Sequence, residues 1–425
     1  MASISLKNYF VSMEDMDEDG NPVVINIDSD TVEITQTFDE AEEAAEDTEE
    51  LQEAEEGLES IYASLEASLE SGGLDPVAAT FAHHAVQSYV NRLGMTSTDI
   101  MPGLESFGGS SRRLSATTVS METIGETLKK IWAAIKAAVE KAISAVTNFF
   151  RKLFDGMSRL EKKFKELAEK VAKLKEEPKK ADDKVKIPSP NALMCKGKVD
   201  WASINTGFTN LKSGAEEISF YITEVVKYYG ELRKNLDKVA SKPEDVSAAV
   251  DATKSQLDLF AGKIKSKLHV SSMPGDKAIT YNTSAETSEK GGANHTFNVR
   301  IEKVTGSKAF NDDASIGVPS KSELANFIGL CLETITAVGK RKDKVAEVVK
   351  KRKEVVEAKV GEIKGDSDKN FASKAYDKTK VHVMMRFAQS DYVRPINQFD
   401  SYAFGALRAG YVLASAVASK YQKAD

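Results

Sequence analysis

Cysteine and histidine are scarce in this chain: 425 residues hold two cysteines and five histidines. Cys195 and Cys331 are too few for a disulfide framework and lack C-x-x-C spacing, so they read as ordinary buried thiols in a reducing compartment. His83 and His84 have no third ligand at useful spacing, and although Cys195 and His382 could meet in the fold, nothing suggests a nucleophile with its base. No G-x-x-x-x-G-K-[ST] loop, no strand followed by G-x-G-x-x-G, no H-E-x-x-H and no G-x-S-x-G occurs. Nothing therefore points to an enzyme, a metal or a cofactor. Long apolar runs are missing too. The start, MASISLKNYFVSMEDMDEDG, has no basic region leading into an apolar one, and Arg408 interrupts YAFGALRAGYVLASAVAS. These absences describe a soluble protein made in the cytoplasm.

What the chain has in abundance is charge, and the charge is divided. Residues 1–122 hold 26 Asp/Glu against Lys7, Arg92, Arg112 and Arg113, a net −22; residues 123–425 hold 54 Lys/Arg and 39 Asp/Glu, a net +15. Taken alone, the acidic block at 13–59 is an ordinary solvated, self-repelling segment. The reversal of sign between the two parts is what points to a nucleic-acid partner for the basic one.

The patterning predicts a mainly α protein: an acidic, partly disordered leader, an amphipathic helical arm with a heptad seam, and a mostly helical C-terminal domain with a small β-hairpin. The divisions fall at 1–122, 123–177, 178–190 and 191–425. Residues 1–38 read as disordered. Leu51, Ala54, Leu58, Ile61, Leu65 and Leu69 form one narrow apolar stripe on an acidic helix. SGGLDP ends it, and a second helix runs to Gly94; the two suit a hairpin that needs a partner surface to be stable. Residues 95–122, rich in Gly, Ser and Thr, read as accessible chain.

Thr123 and Glu126 match a capping box that opens the arm. Ile124, Leu128, Ile131, Trp132, Ile135, Val139, Ala142, Ile143, Val146, Phe149, Phe150 and Leu153 mark its apolar face, and Met157, Leu160, Phe164, Leu167, Val171 and Leu174 its seam. Such a face suits a partner helix, including self-association through 124–174, or a membrane surface. EEPKKADDKVKIPSP reads as an unpacked linker. Beyond it, helices are expected around Phe208–Leu236, Val246–Leu268, Ser322–Val338, Asp343–Ile363 and Ala372–Gln389, with a last one after Pro395 and a hairpin around Gly291-Gly292.

The strongest candidate for phosphate contact lies between Lys340 and Lys364, where ten Lys/Arg outnumber five Asp/Glu. Its members are Lys340, Arg341, Lys342, Lys350, Lys351, Arg352 and Lys353. Four adjacent basic residues splay around a helix, and a solvated helix with pairs such as Glu347 with Lys351 is the competing reading. No aromatic residues interleave them and no base-reading motif is present, so any DNA contact would be to phosphate and indifferent to sequence.

The succession LEASLESGGLDP, FAHHAV, MPGLESFGG and VSMETIGETLKKIWAAIKAAVEKAI, then FFRKLF, over about residues 40–155, resembles the N-terminal portion of internal head proteins of large tailed phages of the giant phiKZ-like type. That resemblance implies a structural protein packed in the prohead and kept in the virion interior with the phage genomic DNA, among other head or core proteins. It also implies a propeptide removed by a prohead protease that cuts after small-x-Glu. Gly103-Leu104-Glu105 and Ser120-Met121-Glu122 match that pattern, as do the triplets ending at Glu14, Glu66 and Glu70. Accessible chain favours Glu105 and Glu122. An ejected or membrane-active virion protein acting through 124–154 is the alternative.

Overall fold

The computed structural model describes residues 76–94, 115–178, 184–187, 189–242, 245–287, 293–304, 306, 314–357 and 392–423, with residues 384 and 387 and much of 50–65. The expected disorder of 1–38, the cleavage triplet ending at Glu105, and His382 lie outside the described residues.

Helical residues between 50 and 65 precede α1 (Pro76–Arg92) and the long α2 (Ser115–Ala172). Then come β1 (Leu174–Pro178), β2 (Lys184–Lys186), α3 (Pro190–Leu193), α4 (Trp201–Ser241) and α5 (Val246–Lys265). The chain continues through β3 (Lys277–Thr287), β4 (Ala293–Lys303), β5 (Ser315–Gly317), α6 (Lys321–Gly339), α7 (Lys342–Val356), α8 (Arg394–Ala418) and β6 (Tyr421–Lys423). The fold is mainly α, with three small antiparallel strand pairs among the described residues: β1 with β6, β2 with β5, and β3 with β4.

α2 organises the molecule. Its 58 residues extend for about 87 Å at 1.5 Å per residue, and its apolar stripe serves two separate clusters. From Val146 to Val171 the stripe enters the main core with α4, α5, α6, α7 and α8. From Ile131 to Ile143 it is covered instead by the 50–65 helix and α1. The heptad seam is buried throughout, and Phe164 meets Tyr411 of α8 edge to face at 5.4 Å.

α2 starts at Ser115, eight residues before the capping box expected at Thr123. Residues 115–122, SATTVSME, contain neither Pro nor Gly, so nothing stops the helix from extending backwards from its packed body. The segment expected as a linker also differs where it is described. Val185 and Ile187 alternate onto one side, are buried, and bring β2 against β5 with Val185 opposite Ile316. Alternating apolar residues outweigh the nearby prolines and charges.

The remaining helices follow the sequence pattern. Asp200 caps α4 by accepting from the Ser203 N–H at 2.7 Å, and that bond leads the interactions holding its carboxyl below the usual range. Ser320 and Glu323 form a reciprocal capping box at the start of α6. α4 and α8 cross closely: Gly214 of α4 faces Phe399, and Gly410 of α8 faces Phe208. The β3–β4 hairpin is seated by Phe297, whose ring meets Phe260 of α5 at 5.7 Å. Of the expected Ala372–Gln389 helix, Met384 and Phe387 are described, and both are helical and buried.

Candidate nucleic-acid interface

The basic run opens in the turn between α6 and α7. α7 turns Val345, Val348, Arg352 and Val355 inward, a spacing of three and four that makes one helical face. Arg352 shares that face and is buried. Arg341 is buried as well: its guanidinium pairs with Asp400 of α8 and lies 5.4 Å from the Phe399 ring. Burial raises the Asp400 carboxyl to about 6 although Arg341 favours its charged form.

Two of the seven candidate DNA-contact residues, Arg341 and Arg352, therefore face the protein interior. Sequence spacing could not separate them from their neighbours, because adjacent residues on a helix point in different directions and only packing decides which direction is inward. Lys340, Lys342, Lys350 and Lys353 are exposed and Lys351 is half-buried. The helix carries ion pairs from Lys351 to Glu354 at 2.8 Å and from Lys353 to Glu357 at 3.6 Å, so Lys351 turns to Glu354, and not to Glu347. Without the two arginines, the basic excess from Lys340 to Lys364 falls from five to three.

Tertiary packing brings basic groups from outside the run near it. Lys344 of α7 donates to Thr223 of α4 at 3.1 Å. The next residue, Glu224, is buried and accepts from Lys227 at 2.5 Å and from Lys263 of α5 at 2.8 Å. Burial alone would raise the Glu224 carboxyl, but the two lysines together hold it below its ordinary value. Lys227 and Lys263, from two helices, thus meet around one carboxylate, and Lys344 of a third helix is held at the residue before it. They lie far apart in sequence, so no window of sequence contains them.

The acidic leader approaches this surface. Ala54, Leu58, Ile61 and Leu65 pack with Val86, Val90 and Leu93 of α1 over Ile131, Ile135, Ala138 and Val139, and Val349 and Val356 of α7 close the edge of the same cluster. Val349 adjoins Lys350 in sequence, and Val356 follows Lys353 by three residues. The expected cleavage triplet ending at Glu122 lies inside α2, and not in open chain.

Comparison with known families gives the matching description. The family of phiKZ-like phage internal head proteins matches residues 26–395. The chain belongs to that family. The match extends far beyond residues 40–155, where short motifs carry the resemblance; the helical C-terminal part has apolar periodicity without a signature, and periodicity alone names no family. Nothing matched among curated proteins or among solved structures. Membership identifies a structural protein of the phage head interior. Among the described residues, no helix is long and apolar enough to cross a membrane, and no three His, Cys, Asp or Glu side chains gather as a metal site.

Proposed function

We propose that this internal head protein is a non-enzymatic structural component that associates with the packaged genome through phosphate contacts, and that its acidic leader screens the basic face until a prohead protease removes it. The observation that carries the reading is the position of the leader: an acidic helical pair rests on basic α2 and reaches Val349 and Val356 of α7. Lys340, Lys342, Lys344, Lys350 and Lys353, with Lys227 and Lys263, supply the exposed cations. Losing a −22 segment turns the charge of the chain from −7 to +15, and each phosphate neutralised releases counterions, so affinity should rise at low salt.

The membrane-active alternative requires the 124–154 face to be free. From Ile131 to Phe154 its described apolar residues are buried in protein, which favours the packed role. The test is a salt titration of full-length protein and of a form starting at Thr123 on two unrelated DNA duplexes. The shorter form should bind both with a dissociation constant on the order of micromolar at low salt, weakening steeply as salt rises. Equal binding by the two forms would remove the screening role, and a strong preference for one duplex would remove the phosphate mechanism.

A further inference from the structure

We infer that the Ile131–Ile143 stripe of α2 is a docking surface for the N-terminal helical pair of a second copy, so that two chains can assemble by exchanging these pairs. The inference stands independently of DNA binding. Three observations lead to it.

The pair is a unit that can leave without opening the main core. Its apolar residues and the upper α2 stripe form a cluster of their own, which meets the one that holds α4 to α8 together at Val349 of α7. Within the pair, a Cβ on Gly57 would lie 2.2 Å from the Tyr89 ring, so the glycine admits that ring between the two helices, and Glu53 pairs with Arg92 at 3.8 Å.

The two segments carry opposite net charge in sequence. Residues 50–94 carry eight Asp/Glu and one Arg, whereas residues 129–145 carry four Lys and one Glu. Lys141 donates to the Leu93 carbonyl at the end of α1, where backbone oxygens lack helical partners. A second copy's own α2 stripe would bring like charge to the site. Its acidic pair brings the matching charge.

The tether permits exchange. α1 ends beside Lys141, which lies 26 residues past Ser115, or about 39 Å along α2. The residues between Gly94 and Ser115 number twenty and can span up to about 70 Å when extended. The pair can therefore reach its own α2 or a neighbour's. A tether of this length holds its own pair at an effective concentration on the order of millimolar, so exchange becomes competitive as protein concentration approaches that value. The contacts in the exchanged form are the same as in the single chain, which makes exchange a low-cost route to a dimer.

The test uses the full chain. Cys195 and Cys331 are buried, so a donor dye can be placed on Ser60→Cys in one preparation and an acceptor on Ser144→Cys in another, both at exposed positions. Energy transfer between mixed chains should appear as concentration approaches millimolar and decline on dilution or added salt. A chain carrying both dyes should transfer energy at any dilution. Absence of transfer between chains up to that concentration would overturn the proposal, as would a dimer that forms without transfer. Deleting residues 98–109 leaves a tether of about 30 Å, too short to close on its own α2. That variant should be dimeric where the parent is monomeric, and a monomeric deletion variant whose pair is still docked would also overturn the inference.

Discussion

Replacing Gly410 with Ala tests the central helix crossing. A Cβ at position 410 would stand 2.7 Å from Phe208 Cζ, 2.9 Å from Phe208 Cε1 and 3.3 Å from Phe327 Cζ. Carbon atoms prefer separations of about 3.5–4.0 Å, so the new methyl overlaps the first ring by roughly 1 Å. The ring has nowhere to go: Phe208 is fully buried and packs edge to face on Phe327 with centroids 4.9 Å apart. Overpacking of this kind costs about 1–3 kcal/mol, and the better helix propensity of Ala recovers about 1 kcal/mol. The expected net effect is a loss of up to about 2 kcal/mol. Gly230→Ala on α4 makes the same chemical change where a Cβ meets nothing within 4 Å, and should stabilise by about 0.5–1 kcal/mol. Urea unfolding followed by far-UV circular dichroism measures both. The reasoning is refuted if Gly410→Ala is more stable than the parent, or if the two variants shift in the same direction.

Further outcomes can be checked on the same protein. Asp400 in the fold titrates near 6, above the 3.8 of a free carboxyl; between these values the folded chain holds a proton that the unfolded chain has released, so this group makes stability fall as pH rises through that window. Asp200, Glu224, Glu323 and Glu354 are shifted downward and act in the opposite direction, so the measurement is the difference between parent and Asp400→Asn from pH 4 to 7, which should shrink at the acid end. A thiol reagent at neutral pH should modify neither cysteine in the folded chain and both in denaturant, because burial pushes the Cys331 thiol well up and Cys195 donates to the Ser272 carbonyl at 3.1 Å; rapid labelling of the native protein would contradict this packing. Peptide mapping of particles should find a new N-terminus at Ser106 or Thr123, and recovery of chains beginning at Met1 would exclude a removable leader. Between the two, Ser106 is expected, because Glu122 lies within a helix that a protease must first unwind.

Much of the fold was legible because helices announce themselves through local spacing. The stripes Ala54–Leu65, Ile131–Leu153 and Met157–Leu174 were readable as apolar faces, and their described residues are buried. The capping box at Thr123 misled because such a motif permits a helix to start but does not oblige it to. Residues 184–187 misled because proline and charge were weighed above the alternation of Val185 and Ile187.

Local periodicity and charge, summed over neighbours in sequence, were enough to establish a mainly helical protein with an acidic front and a basic remainder. They also marked a helical pair, its first helix running from Asp39 to Leu69 and its second ending at Gly94, as in need of a partner. Only tertiary structure decided what that partner is, which basic residues of α7 turn inward, and that Lys227, Lys263 and Lys344 gather around Thr223 and Glu224. Each of these depends on groups separated by many residues, and a helix pattern records which face is apolar without recording what will cover it. Arg341 and Arg352 carry the same charge as the lysines beside them, and their burial follows from where α2, α4 and α8 press against α7 and the turn before it.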